Sequence, residues 1–122
     1  MGQQILIVED EDLVREFMVE VLHELEFEIF EAATAEEALE ILAKVESIAV
    51  MIADVELAGK MTGLELVQRA RDAYPVMRSF VVSGKGTPIG ACQAGANGFL
   101  PKPFTAEMLA GIVSVGSLHR NL

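Results

Sequence analysis

Hydrophobic positions along the chain follow two rhythms. Gln4 to Val8 reads QILIV, a continuous rather than alternating apolar run, as expected of a strand buried on both faces of a parallel sheet. Four consecutive acids, Glu9 to Asp12, end it. Leu13, Val14, Phe17, Met18, Val21, Leu22 and Leu25 then recur on one side, with Arg15, Glu16, Glu20 and Glu24 on the other. That spacing predicts an amphipathic helix with Asp12 as its N-cap.

The same alternation continues to the end. Phe27 to Glu31 reads as a short strand, and Thr34 with Glu37 as a capping box opening a helix through Leu42 or Lys44. Ile48 to Ala53 is a second fully apolar run, ending in Asp54. A loop from Val55 to Thr62 contains Gly59, and the helix after Gly63 stops before Tyr74 and Pro75. Ser79 to Val82 forms the fourth strand, and Gly84 to Thr87 the turn after it. Pro88 opens a short helix to Ala94, weakened by Gly90 and broken by Gly95. Gly98 to Leu100 is a fifth strand, and Thr105 caps a last helix through roughly Leu118. Strand and helix alternate five times, which predicts an α/β fold with a parallel sheet, helices on both faces and right-handed crossovers.

Length and composition fit that outline. At 122 residues and 52% apolar, the chain forms one ordinary domain with a full core. Its charge of −10 is lopsided. Residues 1–61 carry sixteen acids against three bases, and residues 62–122 three acids against six bases. An acidic first half excludes a nucleic-acid-binding surface, which needs a basic face. The single Cys92 forms no internal disulfide, and His23 and His119 lie too far from it in sequence to suggest a zinc site. The chain therefore reads as reduced and cytoplasmic. No signal peptide, myristoylation signal or membrane-spanning stretch is present in the sequence. Met residues read as core filler, and both histidines as surface residues.

Ligands of open α/β sheets sit beyond the carboxyl ends of the strands. There the sequence places Glu9 and Asp10 after strand one, Asp54 at the end of strand three, Ser83 at the end of strand four, and Lys102 just past strand five. Carboxylates gathered this closely repel one another unless a cation intervenes, and hard oxygen ligands suit Mg²⁺. A carboxylate in such a site can attack phosphorus, with Lys102 and the Ser83 hydroxyl as partners for the phosphoryl oxygens.

In this order the segments ILIVEDE, Asp54, MTGLEL (61–66), VVSG (81–84) and GANGFLPKPF (95–104) make the chain resemble the receiver domain of bacterial two-component response regulators along its whole length. The resemblance implies a single receiver domain over residues 1–122, without an output domain in this chain, and a flavodoxin-like sheet of order 2-1-3-4-5. By that likeness Asp54 accepts a phosphoryl group from a histidine kinase or histidine phosphotransfer domain. Asp10 ligates Mg²⁺ directly, Glu9 acts mostly through water, and the backbone carbonyl of Glu56 is a third protein ligand. Ser83 is the switch hydroxyl, Phe99 the coupled switch aromatic, and Lys102 the phosphate-pairing lysine ahead of a cis Pro103. The chain would catalyse its own phosphorylation and dephosphorylation and signal to a downstream protein target; a homodimer is compatible with this.

Some features depart from the family or allow other readings. The loop between Asp54 and Gly63 is one residue longer than the common spacing, and Ala58 stands where proline is frequent. Phe99, lacking a hydroxyl, reads equally as a packed edge residue. Glu56 and Lys85, each two residues past a site residue, are expected to pair across the mouth and obstruct the attacking water. The rival from another class is a pseudo-receiver, a protein-binding module that never carries phosphate. An aspartyl-phosphate hydrolase would use Glu56 as its second acid but would want a cap domain. The Gly84-x-Gly86 turn has the wrong spacing for a dinucleotide loop.

Overall fold

The computed structural model describes residues 3–85 and 88–118. Five strands, β1 (Gln4–Val8), β2 (Glu28–Ala32), β3 (Ile48–Asp54), β4 (Arg78–Ser83) and β5 (Gly98–Pro101), alternate with five helices. These are α1 (Asp12–Glu24), α2 (Ala35–Lys44), α3 (Gly63–Ala73), α4 (Pro88–Ala94) and α5 (Ala106–Leu118). All the strands pair in parallel, in the order β2-β1-β3-β4-β5. This is the doubly wound α/β architecture and strand order that the resemblance implies. Gly86, Thr87 and His119, like Met1 and Gly2, lie outside the described residues.

The continuous apolar runs follow from the two-sided burial of the sheet. Along β1, Leu6 and Val8 face a core closed by α2, α3 and α4, where Ala38, Leu66 and Ala91 are buried. Ile5 and Ile7 face the opposite core with Met18 and Leu22 of α1 and Leu109 and Val113 of α5. Each strand residue is thus apolar because either face of the sheet is covered. Met18, Met51 and Met77 fill this interior, but Met108 is 40% exposed and packs no core.

Several local expectations need correction. The N-cap of α1 is Glu11, which makes no side-chain cap bond. Asp12 is instead the first helical residue, paired with Arg15 at 2.8 Å; there an acid meets the positive end of the helix dipole. The Thr34 side chain caps α2 by accepting from Glu37 N, while Glu37 reaches back to the N–H of Ala33 rather than of the cap residue. The reciprocal capping box belongs to α3, between Thr62 and Glu65. On α1, Leu13 is 82% exposed, so the apolar stripe is wider than the buried face. Helix α4 forms over Pro88–Ala94 despite Gly90, with Cys92 exposed on it rather than packed.

Gly63 has a placement role. A Cβ there would stand 1.9 Å from the Asp54 carbonyl oxygen, so only glycine lets the start of α3 close against the end of β3. That contact, with Gly63 N–H donating to Val55 O at 3.0 Å, anchors the loop that follows Asp54.

Candidate functional site

At the carboxyl edge of the sheet, register brings together residues distant in sequence. Asp54 stands beside Val82, and Ser83 beside Pro101. Lys102 follows directly, with its N–H on the Ser83 carbonyl at 2.9 Å and a cis bond to Pro103. Glu9, one residue past β1, is held by its own N–H on Ala32 O at 3.0 Å and by Arg15 Nη1 on its carbonyl at 2.7 Å. Glu9, Asp54 and Ser83 are all buried.

One ammonium serves three carboxylates. Lys102 Nζ donates to Asp54 Oδ2 at 2.8 Å and lies 2.9 Å from Glu9 Oε1 and 3.6 Å from Glu11 Oε1. Its approach to Glu9 is too poorly aligned for a hydrogen bond, so Glu9 Oε1 is buried and charge-paired without one. The other oxygen, Glu9 Oε2, accepts from Glu11 N at 3.2 Å, and Asp54 Oδ1 accepts from Glu56 N at 3.0 Å.

This imbalance shows in the protonation equilibria. Burial first, and then the neighbouring Asp54 charge against the opposing Lys102 contact, push Glu9 up to about 7. Burial works to lower the Lys102 ammonium, but its hydrogen bond to Asp54 and its close contact with the Glu9 carboxylate outweigh this and hold it above its ordinary range.

Oxygens of Glu9, Glu11 and Asp54 lie within 4.8 Å of one another. A hard divalent cation fits this set: the donors are carboxylate oxygens, one of them buried without a hydrogen bond, and one lysine does not neutralise three acids. Glu11 was not singled out by the sequence reading; its place in the run of four acids was the only signal. Asp10 stands apart from this cluster. Its Oδ2 accepts from Ala58 N at 3.1 Å, a bond that proline at position 58 would lack an N–H to make. Ala58 also bridges Thr34, so the longer loop is tied to the N-terminal cap of α2.

The remaining residues form a second group. Ser83 Oγ donates to Glu56 Oε2 at 2.7 Å and accepts from Lys85 N at 3.0 Å. The expected Glu56–Lys85 pair is therefore not made; among the described residues no salt bridge joins them, because the Glu56 carboxylate turns inward to the nearer hydroxyl. Phe99, paired with Val81 across the strands, is half-buried against the α2–α3–α4 core, a packed position in this conformation. His23 is exposed, as expected. Among the described residues no helix is long and apolar enough to cross a membrane.

A sequence model described as the response regulator receiver domain matches residues 5–114. A chemotaxis protein CheY homolog of Campylobacter jejuni is 32% identical over 112 residues, covering 87% of this chain and 85% of that protein. The sensor kinase CckA of Brucella abortus is 35% identical over 113 residues, 89% of this chain. The chain spans between 12% and 28% of the longer curated relatives it matches. Among solved structures, a CheY-like receiver domain protein from Methanospirillum hungatei superposes with a TM-score of 0.88 at 26% identity, over 95% of this chain and 94% of that one.

Proposed function

The chain belongs to the response regulator receiver domain family, and from that premise we propose that it accepts a phosphoryl group on Asp54 and switches conformation to regulate a protein partner. The donor is a histidine kinase or histidine phosphotransfer domain. The observation that carries this reading is the convergence of Asp54, Glu9 and Lys102, with the ammonium 2.8 Å from one carboxylate and 2.9 Å from the other.

Transfer needs little covalent chemistry beyond positioning and charge stabilisation. An Asp54 carboxylate oxygen forms the bond to phosphorus as the bond to the donor's imidazole nitrogen breaks. The leaving nitrogen keeps that electron pair and is protonated as it departs. Lys102, already beside Asp54, moves its charge onto the new phosphoryl oxygens, and Ser83 supplies a hydroxyl donor to them. Glu9, Glu11 and Asp54 would hold Mg²⁺, joined by the Glu56 carbonyl and by Asp10 once its carboxylate leaves Ala58 N, and the bound ion would supply charge to neutralise the carboxylates and the transferring group. Hydrolysis restores Asp54, so the chain catalyses its own phosphorylation and dephosphorylation. Phe99 is the proposed aromatic that relays the Ser83 movement to the face of α4, β5 and α5. The 122 residues act as one such domain, in the cytoplasm, where the phosphoryl donors of this class operate.

The test is incubation with Mg²⁺ and acetyl phosphate followed by intact-mass measurement. One phosphoryl group per chain is expected, lost in Asp54→Asn and in the presence of EDTA. An unmodified wild-type chain under these conditions would point to a pseudo-receiver that works by binding alone.

A further inference from the structure

Glu56 lies outside the group of carboxylates that fits a cation, yet its side chain is engaged. The Ser83 hydroxyl has one proton to donate, and that proton is directed at Glu56 Oε2, 2.7 Å away. From the other side Ser83 Oγ accepts the Lys85 N–H at 3.0 Å. A hydroxyl bonded to a carboxylate at this length belongs to the stronger, charge-assisted class. Both ends of the contact are tied to the backbone of the site: Glu56 N–H to Asp54 Oδ1 at 3.0 Å, Val55 N–H to Val82 O at 3.0 Å, and Lys102 N–H to Ser83 O at 2.9 Å. Little main-chain freedom is left to relieve it, so the side chains themselves must part.

We propose that Glu56 is a positioning residue that holds the Ser83 hydroxyl in the unphosphorylated chain, and that this bond has to break before Ser83 can serve a phosphoryl group on Asp54. The inference deepens the receiver reading and rests on it. Two effects oppose phosphorylation together. The Glu56 carboxylate and the phosphoryl oxygens compete for a single hydroxyl proton, and like charges two residues apart repel. Glu56 thus biases the domain toward its resting state, through Ser83.

The competition is separable from simple charge repulsion. Glu56→Gln keeps the length of the side chain and an acceptor oxygen but makes it neutral, and Glu56→Ala removes both. Each is made alone and with Ser83→Ala. With Mg²⁺ and acetyl phosphate, the Asp54 oxygen–phosphorus bond forms, the bond from phosphorus to the acetyl oxygen breaks, and acetate leaves with the electron pair. Initial rate and final phosphorylated fraction are read by intact mass. Glu56→Gln and Glu56→Ala should raise the rate roughly three- to ten-fold, the span between a neutral and a charge-assisted hydrogen bond. Most of that gain should be lost when Ser83 is already Ala, leaving only the part that charge repulsion supplies. The same gain with and without Ser83 would overturn the inference, because charge alone would then be acting. So would unchanged rates in both Glu56 variants. A wild-type chain that takes up no phosphoryl group fails at the earlier step and overturns the receiver reading instead.

Discussion

The two edges of one sheet have opposite characters. Where the strands end, Glu9, Asp54 and Ser83 are buried around Lys102. Where they begin, a mainly apolar cavity of about 530 Å³ opens between the end of α2, the start of β3 and the loop before β4, bordered by Leu42, Val45, Ile48 and Met77 with Glu46 and Arg78 also on its lining. Polar contacts at that edge are neutral or exposed, such as Ser47 Oγ donating to Gln4 Oε1 at 2.6 Å. The difference shows where stability is made and where it is given up. The amino edge continues the core, whereas the carboxyl edge concentrates like charges that the fold must hold together.

Substitutions should separate the two edges. The largest effect is expected where they share a support: Gly63→Ala drives a methyl into the Asp54 carbonyl and should cost about 3 kcal/mol or more, read from urea midpoints, with phosphorylation falling in parallel. A stable Gly63→Ala protein would mean that α3 does not brace Asp54. Next, Lys102→Met leaves three carboxylates without their cation. A loss of about 3 kcal/mol in EDTA is expected, with Mg²⁺ raising the melting temperature more in this variant than in wild type.

At the amino edge, Leu42→Ala should cost about 2 kcal/mol, near the low end for such truncations because the side chain already borders a cavity. Its rate of phosphorylation by acetyl phosphate should stay that of wild type; a loss of activity there would couple the edges. Glu9→Gln should act in the opposite direction. The folded protein holds the Glu9 proton up to about 7, above its unfolded range, so between about pH 4.5 and 7 the folded state binds more protons and stability falls as pH rises. The variant should therefore be more stable than wild type by about 2 kcal/mol at pH 8 in EDTA, with a flatter pH profile. Equal pH profiles would deny that Glu9 is strained. The smallest effect belongs to Asp12→Asn, which removes an exposed ion pair with Arg15 and should shift stability by about 0.5 kcal/mol or less in thermal melts.

Much of the fold was legible because its signals are local. The continuous apolar runs at Ile5–Val8 and Ile48–Ala53 needed only the rule that both faces of a parallel sheet are covered, and Thr34 and Thr105 announced helix starts within one turn. Errors also arose locally, where two acids competed for one role. Asp12 is the residue type that caps helices, but Arg15, bonded to Asp12, Glu31 and the Glu9 carbonyl, engages the Asp12 carboxylate from within the first turn, and the cap position falls to Glu11, which makes no side-chain cap bond.

The sequence by itself determined the order of elements, the two-sided sheet and most of the residues at its carboxyl edge, Glu11 excepted, because periodicity and strand ends are properties of neighbouring residues. Which of those residues actually meet was decided only in three dimensions. Glu11 joins Glu9 and Asp54 while Asp10 turns to Ala58, and Glu56 holds Ser83 rather than pairing with Lys85. The reason is physical: a side chain's direction depends on the charge or donor that a distant strand or loop brings within about 3 Å of it. Spacing along the chain does not encode that approach; the register of β1, β3, β4 and β5 does.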